Sequence, residues 1–131
     1  MKKLPFLLFA ICFTIASCSK DETTQEEEQA RLDIMYQEII DYSQIDSKAC
    51  TNPDEWSFTK FGASTCSGYL IYNKKIDLTV FQKKIDKYIE ERGKFDVKWG
   101  VYYDCIMMPP PKSIECKDGK PTLIYDFTTH Q

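Results

Sequence analysis

The chain has 131 residues, 43% hydrophobic and 28% charged, with 17 basic against 20 acidic side chains and a formal net charge of −3. That is the composition of one globular domain with room for a single core, not of a disordered or fibrous chain. Its acidic, unclustered charge excludes nucleic acid or a polybasic membrane patch as the basis of function.

Residues 1–17 open with Lys2 and Lys3, continue through an apolar run from Leu4 to Ile15, and end on the small residues Ala16 and Ser17. This layout predicts a cleaved secretory signal peptide. The run falls short of the roughly 20 apolar residues that a spanning helix needs. Ile15-Ala16-Ser17-Cys18 has the order of a lipobox, so Cys18 is expected to become the lipid-bearing first residue of the mature chain. Acyl chains contribute about 0.8 kcal/mol per buried CH₂, and more than one is needed for stable attachment. Cleavage leaves 114 residues and, with Lys2 and Lys3 gone, a net charge of −5. The following Ser19-Lys20-Asp21-Glu22 resembles the short export signal of surface-displayed lipoproteins. The expected address is therefore the outer membrane, lipid-anchored and facing the cell surface; a plain solvated tether is the other reading. Residues 18–29 are assigned to a polar tether and 30–131 to one domain.

Thr24-Gln25-Glu26-Glu27 fits a capping box and predicts a helix from about Gln25 to Tyr42. Its apolar stripe runs through Leu32, Met35, Tyr36, Ile39, Ile40 and Ser43. Asn52-Pro53-Asp54 reads as a turn. Alternation around Trp56 and Phe58, glycines at 62 and 68, and the run Tyr69 to Tyr72 predict a β-hairpin with a wide loop.

After Asp77, the spacing of Phe81, Ile85, Tyr88, Arg92, Phe95 and Trp99 predicts one helix from Leu78 to Trp99, stopped by Gly100, then a short strand from Val101 to Cys105. A second reading ends the helix at Gly93 and starts a strand at Phe95. Beyond Pro109-Pro110-Pro111, the segments Ser113–Cys116 and Thr122–Phe127 flank Lys117-Asp118-Gly119-Lys120, whose Asp-Gly pair favours a hairpin. Pro121 is expected to mark the start of the second strand rather than lie within it. The fold class is α+β: two helices packed on a small antiparallel sheet of two hairpins, with two disulfides.

Cys12 leaves with the signal and Cys18 is taken by lipid, so the domain holds Cys50, Cys66, Cys105 and Cys116. Four cysteines in a small exported domain read as a disulfide framework with three pairings open. Cys50 with Cys66 and Cys105 with Cys116 is favoured, because each bridge closes a short loop within one hairpin unit. A zinc site is disfavoured, since there is no Cys-x-x-Cys and the single histidine is His130 near the C-terminus.

The arrangement Cys50, Trp56-Ser57-Phe58, Gly62, Cys66, Tyr69 to Tyr72, Gly100, Asp104-Cys105, Pro110-Pro111, Cys116 and Gly119-Lys120 resembles a group of small disulfide-bridged bacterial surface lipoproteins. The resemblance spans Cys50 to Tyr125 and departs at Cys66-Ser67-Gly68, where the group's pattern has a Gly-Gly-Pro turn. It implies a shared fold unit and no chemistry.

No catalytic residue, metal ligand or cofactor site is assigned. Acid–base chemistry near neutral pH usually uses a positioned histidine, and His130 lies in the tail. The acid pairs Asp54–Glu55 and Glu90–Glu91 read as solvated surface. The segment most suited to a partner is Met107-Met108-Pro109-Pro110-Pro111-Lys112, where prolines fix an extended backbone and methionines offer adaptable apolar surface. Packing of the same residues across the end of the sheet is the competing reading. The expected role is a non-enzymatic binding or structural module of the envelope, held to the membrane by its N-terminal lipid, with an extracellular protein or glycan as partner. The alternatives are an inhibitor of an extracellular protease or other hydrolase, presenting Met108 or Lys112, and a weak glycan binder using the tyrosines and Trp56.

Overall fold

The computed structural model describes residues 22–62, 68–104 and 108–126. The signal peptide, Cys18, Cys66, Cys105, Met107 and His130 lie outside the described residues.

Helix α1 spans Gln25–Ser43. Its capping box forms as the sequence predicts: Thr24 Oγ1 accepts from the Glu27 amide at 3.2 Å and Glu27 Oε2 accepts from the Thr24 amide at 2.9 Å. Gln44, in the left-handed region at φ 65°, ends the helix. A 3₁₀ turn, Pro53–Glu55, starts where Asn52 Oδ1 accepts from the Asp54 amide. Strands β1 (Trp56–Phe61) and β2 (Gly68–Asn73) then form the first hairpin.

Helix α2 runs unbroken over Leu78–Trp99. Asp77 caps it by accepting from the Thr79 and Val80 amides, and Gly100 ends it at φ 63°. The long-helix reading therefore holds, with Gly93 exposed inside it. No strand forms over Val101–Asp104. The Val101 amide instead donates to the Asp96 carbonyl at 2.9 Å, and the Tyr103 hydroxyl donates to the Asp96 carboxylate. The chain is thus folded back on the helix end, and its amide is spent there rather than on a ladder.

Strands β3 (Ser113–Lys117) and β4 (Lys120–Ile124) make the second hairpin around Asp118 and Gly119, both at positive φ. Pro121 lies within β4, not at its start. It faces Cys116 across the ladder, and the phase of this two-residue turn makes that pair a non-hydrogen-bonded one, so no amide is missed. The hairpins form two separate two-stranded sheets.

Side-chain alternation makes the first hairpin the middle of three layers. Phe61, Leu70 and Tyr72 on one face join the cluster of Ile39, Phe81 and Ile85 between the antiparallel helices. Trp56 and Ile71 on the other face pack with Cys50, Ile114, Cys116 and Leu123 from the second hairpin and its anchor.

The bridge in this second cluster joins Cys50 to Cys116. That overturns the expected Cys50–Cys66 and Cys105–Cys116 pairs. The physical reason is layer stacking: the Cys50 amide donates to the Gly119 carbonyl at 2.8 Å, so the segment after α1 lies along the β3–β4 turn. The bridge therefore fastens the second hairpin to the segment between α1 and the first hairpin rather than closing either hairpin.

Candidate functional site

The predicted partner loop enters the second hairpin. Of its described residues, Pro109, Pro110 and Lys112 are exposed, Met108 is 39% exposed, and Pro111 is buried. Its C-terminal side is held firmly. The Lys112 amide donates to the Ile124 carbonyl at 2.7 Å, and the Lys112 ammonium lies 3.3 Å from the Asp126 carboxylate. Because Cys116 bridges to Cys50, no disulfide between Cys105 and Cys116 closes this loop. Its rigidity comes from the prolines, the buried Pro111 and the strand that follows.

Below the loop, Ser113 and Ile114 form one wall of a groove of about 210 Å³ whose other side is Pro53, Asp54, Trp56, Ser57, Phe58 and Lys74. The Lys74 amide donates to the Glu55 carbonyl at 2.8 Å. That phase makes Ser57–Tyr72 and Thr59–Leu70 the bonded pairs and turns the peptide groups of Trp56 and Phe58 away from β2. The same logic turns the Ile114 peptide group away from β4. The groove thus runs between strands that each lack a second ladder partner among the described residues. Such edges pair readily with an added extended chain.

Trp56 Nε1 and Asn73 Nδ2, opposite one another in the register, are buried donors that meet no acceptor among the described residues. A buried donor costs free energy until an acceptor reaches it. The sequence offered no signal for this groove: Trp56 reads as an ordinary core residue, and Ser113 is far along the chain.

A second cluster, also unforeseen, joins the start of α1 to the end of α2. Glu28 accepts from Lys98 Nζ at 2.6 Å and Trp99 Nε1 at 2.9 Å, and also from the Thr23 hydroxyl. The Lys98 hydrogen bond is the largest cause, followed by Thr23 and Trp99, of a Glu28 pKa lowered to about 2. Nearby, Lys94 pairs with Glu90 at 2.7 Å and Glu91 at 2.9 Å, which raises the Lys94 pKa and lowers that of Glu91. Burial raises the Tyr88 pKa. Of the acids weighed in the sequence, Glu55 is engaged with Lys48 and Lys75, and Glu90 and Glu91 with Lys94.

Among the described residues, no group of three or more His, Cys, Asp or Glu side chains is placed to hold a metal, and no helix is long and apolar enough to cross a membrane. No family model, curated protein or solved structure matches the chain. Its functional reading therefore rests on the residues and their geometry.

Proposed function

We propose that the protein is a lipid-anchored component of the outer membrane, displayed at the cell surface, that works by binding an extended segment of another protein rather than by catalysis. The observation that carries the reading is the groove between β1 and β3, whose wall residue Ser113 follows the exposed Met108, Pro109 and Pro110 by a few positions in the chain. At about 210 Å³ it is smaller than the ~300–1,000 Å³ of ordinary small-molecule pockets. A strand laid along it would meet outward peptide groups and the apolar walls of Trp56, Phe58 and Ile114. The Lys74 side chain adds a cation for an acidic residue or a chain-end carboxylate.

The test has two arms. Mass spectrometry of the native protein should find an acylated Cys18 as its first residue; an unmodified start elsewhere removes the anchor. Photo-crosslinking residues placed at Pro110 and Ser113 in intact cells should give one discrete protein adduct, with none from Lys83 on α2. Equal labelling from all three positions refutes the binding surface.

One observation favours the hydrolase-inhibitor reading as a second choice: Met108 to Pro110 stand exposed beside the fixed Pro111. Lys112 is already paired with Asp126, so Met108 is the side chain offered to an enzyme pocket. Inhibition of a protease or lysozyme panel that survives Met108→Ala removes this reading. The glycan reading has less support, because Tyr42, Tyr72 and Trp56 are packed inside the layers.

A further inference from the structure

Three of the most exposed large apolar side chains sit together at one pole of the domain. Val97 is 86% exposed, Tyr102 93% and Tyr103 59%. All three belong to the last turn of α2 and the segment folded back after Gly100. Glu28 binds Lys98 and Trp99, so this is also the pole where α1 begins. Chain direction then matters. Gln25, the first residue of α1, lies seven residue steps beyond Cys18. Fully extended, they reach about 25 Å; as a flexible polar chain they average about 15 Å.

Resting on the reading of Cys18 as the lipid-bearing residue, we propose that this pole lies against the membrane, with Val97, Tyr102 and Tyr103 seated among the lipid headgroups. The occupant is a lipid surface because the tether ends there and leaves the pole too close to the bilayer to stay clear of it. Tyrosine suits this level, since its ring is apolar and its hydroxyl stays wet. Lys94 and Lys98, exposed at the same end, can keep their ammonium groups in the headgroup layer while their stems lie over apolar surface. Three of the acids at this end are paired: Glu28 with Lys98, Glu91 with Lys94, and Asp96 with Arg92 at 3.0 Å. The tether thus sets the domain's orientation as well as its address.

The mature lipidated protein, reconstituted in phosphatidylcholine vesicles with and without brominated acyl chains, tests the proposal. Tyr102→Trp places a reporter at the pole. Leu78→Trp places one at the other end of α2, about 30 Å away for a helix of 22 residues. The expected result is that brominated lipid removes at least half of the fluorescence that Tyr102→Trp adds to the parent protein, and less than a tenth of that added by Leu78→Trp. Equal quenching at both positions overturns the proposal, as does quenching at neither with the protein still floating with the vesicles; both leave the anchor intact. A protein that fails to float with vesicles at all overturns the anchor reading, and this inference with it. Crosslinking of the pole to a second protein in cells, with Tyr102→Trp unquenched in vesicles, also overturns the proposal.

Discussion

Replacing both Cys50 and Cys116 with alanine should cost the domain a large part of its stability. The bridge spans a sequence separation of 66 residues. In the chain-entropy treatment, a loop of that length is held back by about 15 cal/mol/K, or about 4 kcal/mol at 25 °C. A bridge between Cys66 and Cys105 would lie inside this loop and shorten its free length to about 27 residues, lowering the figure to about 3.5 kcal/mol. Either value is a large share of the ~5–15 kcal/mol that holds a typical domain together. At about 4–8 °C per kcal/mol for a domain of this size, the melting temperature should fall by about 15–30 °C. The assay is thermal and urea unfolding of the double variant against the parent, with far-ultraviolet circular dichroism to confirm that the variant folds at low temperature. A shift under about 5 °C, or a parent whose unfolding is unchanged by dithiothreitol, would refute the assignment of this bridge as the clamp that holds the second hairpin to the segment after α1.

With Cys50 and Cys116 joined, Cys66 and Cys105 are expected to pair with one another. Trypsin places all four on separate peptides, ending at Lys60, Lys74, Lys112 and Lys117, so non-reducing mapping should show 49–60 joined to 113–117 and 61–74 joined to 99–112. Phe81 is fully buried between the helices and the first hairpin; Phe81→Ala should cost about 3–5 kcal/mol in urea unfolding, whereas Lys83→Ala should change little. Gly100 sits at φ 63°, and a Cβ added there would meet nothing within 4 Å, so Gly100→Ala should cost about 1 kcal/mol through backbone conformation alone. The hydrogen bond from Lys98, with those from Thr23 and Trp99, holds the folded Glu28 carboxyl down to about 2 against its ordinary 4.5, so its contribution is complete above the unfolded value and disappears as pH falls through the folded one. The stability gap between the parent and Glu28→Gln should therefore hold steady above pH 4.5 and close between pH 4.5 and about 2; a gap that widens on acidification contradicts the Lys98–Glu28–Trp99 cluster.

What the sequence made legible was local. The Thr24–Glu27 capping box, the stripe from Phe81 to Trp99 and the Asp118-Gly119 turn are each set by groups within a few residues of one another, and all three formed. The failures were non-local. Cys50 and Cys116 meet because the first hairpin is buried on both faces, which brings distant segments together in the outer layer. Pro121 was misplaced because its tolerance depends on the phase of the ladder opposite Cys116, a property of two strands at once. The predicted strand after Gly100 is the exception and fails for a local reason: Val101, Tyr102 and Tyr103 alternate well enough, but the Val101 amide is already committed to Asp96. The partner loop was partly readable from its prolines, while the groove beneath it needed the stacking of the two hairpins.

The corrected bridge also changes how the loop prepares itself for a partner. A loop closed by Cys105 and Cys116 would be restrained at both ends by one covalent link, and binding would lose little entropy wherever contact began. With Cys116 bound to Cys50, the restraint is graded instead: Lys112 and Pro111 are fixed by β4 and the core, whereas Pro109 and Pro110 depend on their own rings to hold φ. Preorganisation is therefore greatest beside the groove and falls away toward Met108. A partner strand that pairs along β1 or β3 first would find its hydrogen-bonding edge already set, and only Met108 would need to settle around its side chains. Pro110→Ala should then weaken binding modestly, by loosening the approach. Disrupting the groove wall, with Ile114→Lys for example, should abolish it. The opposite order of effects would mean that the loop itself, and not the groove, holds the partner.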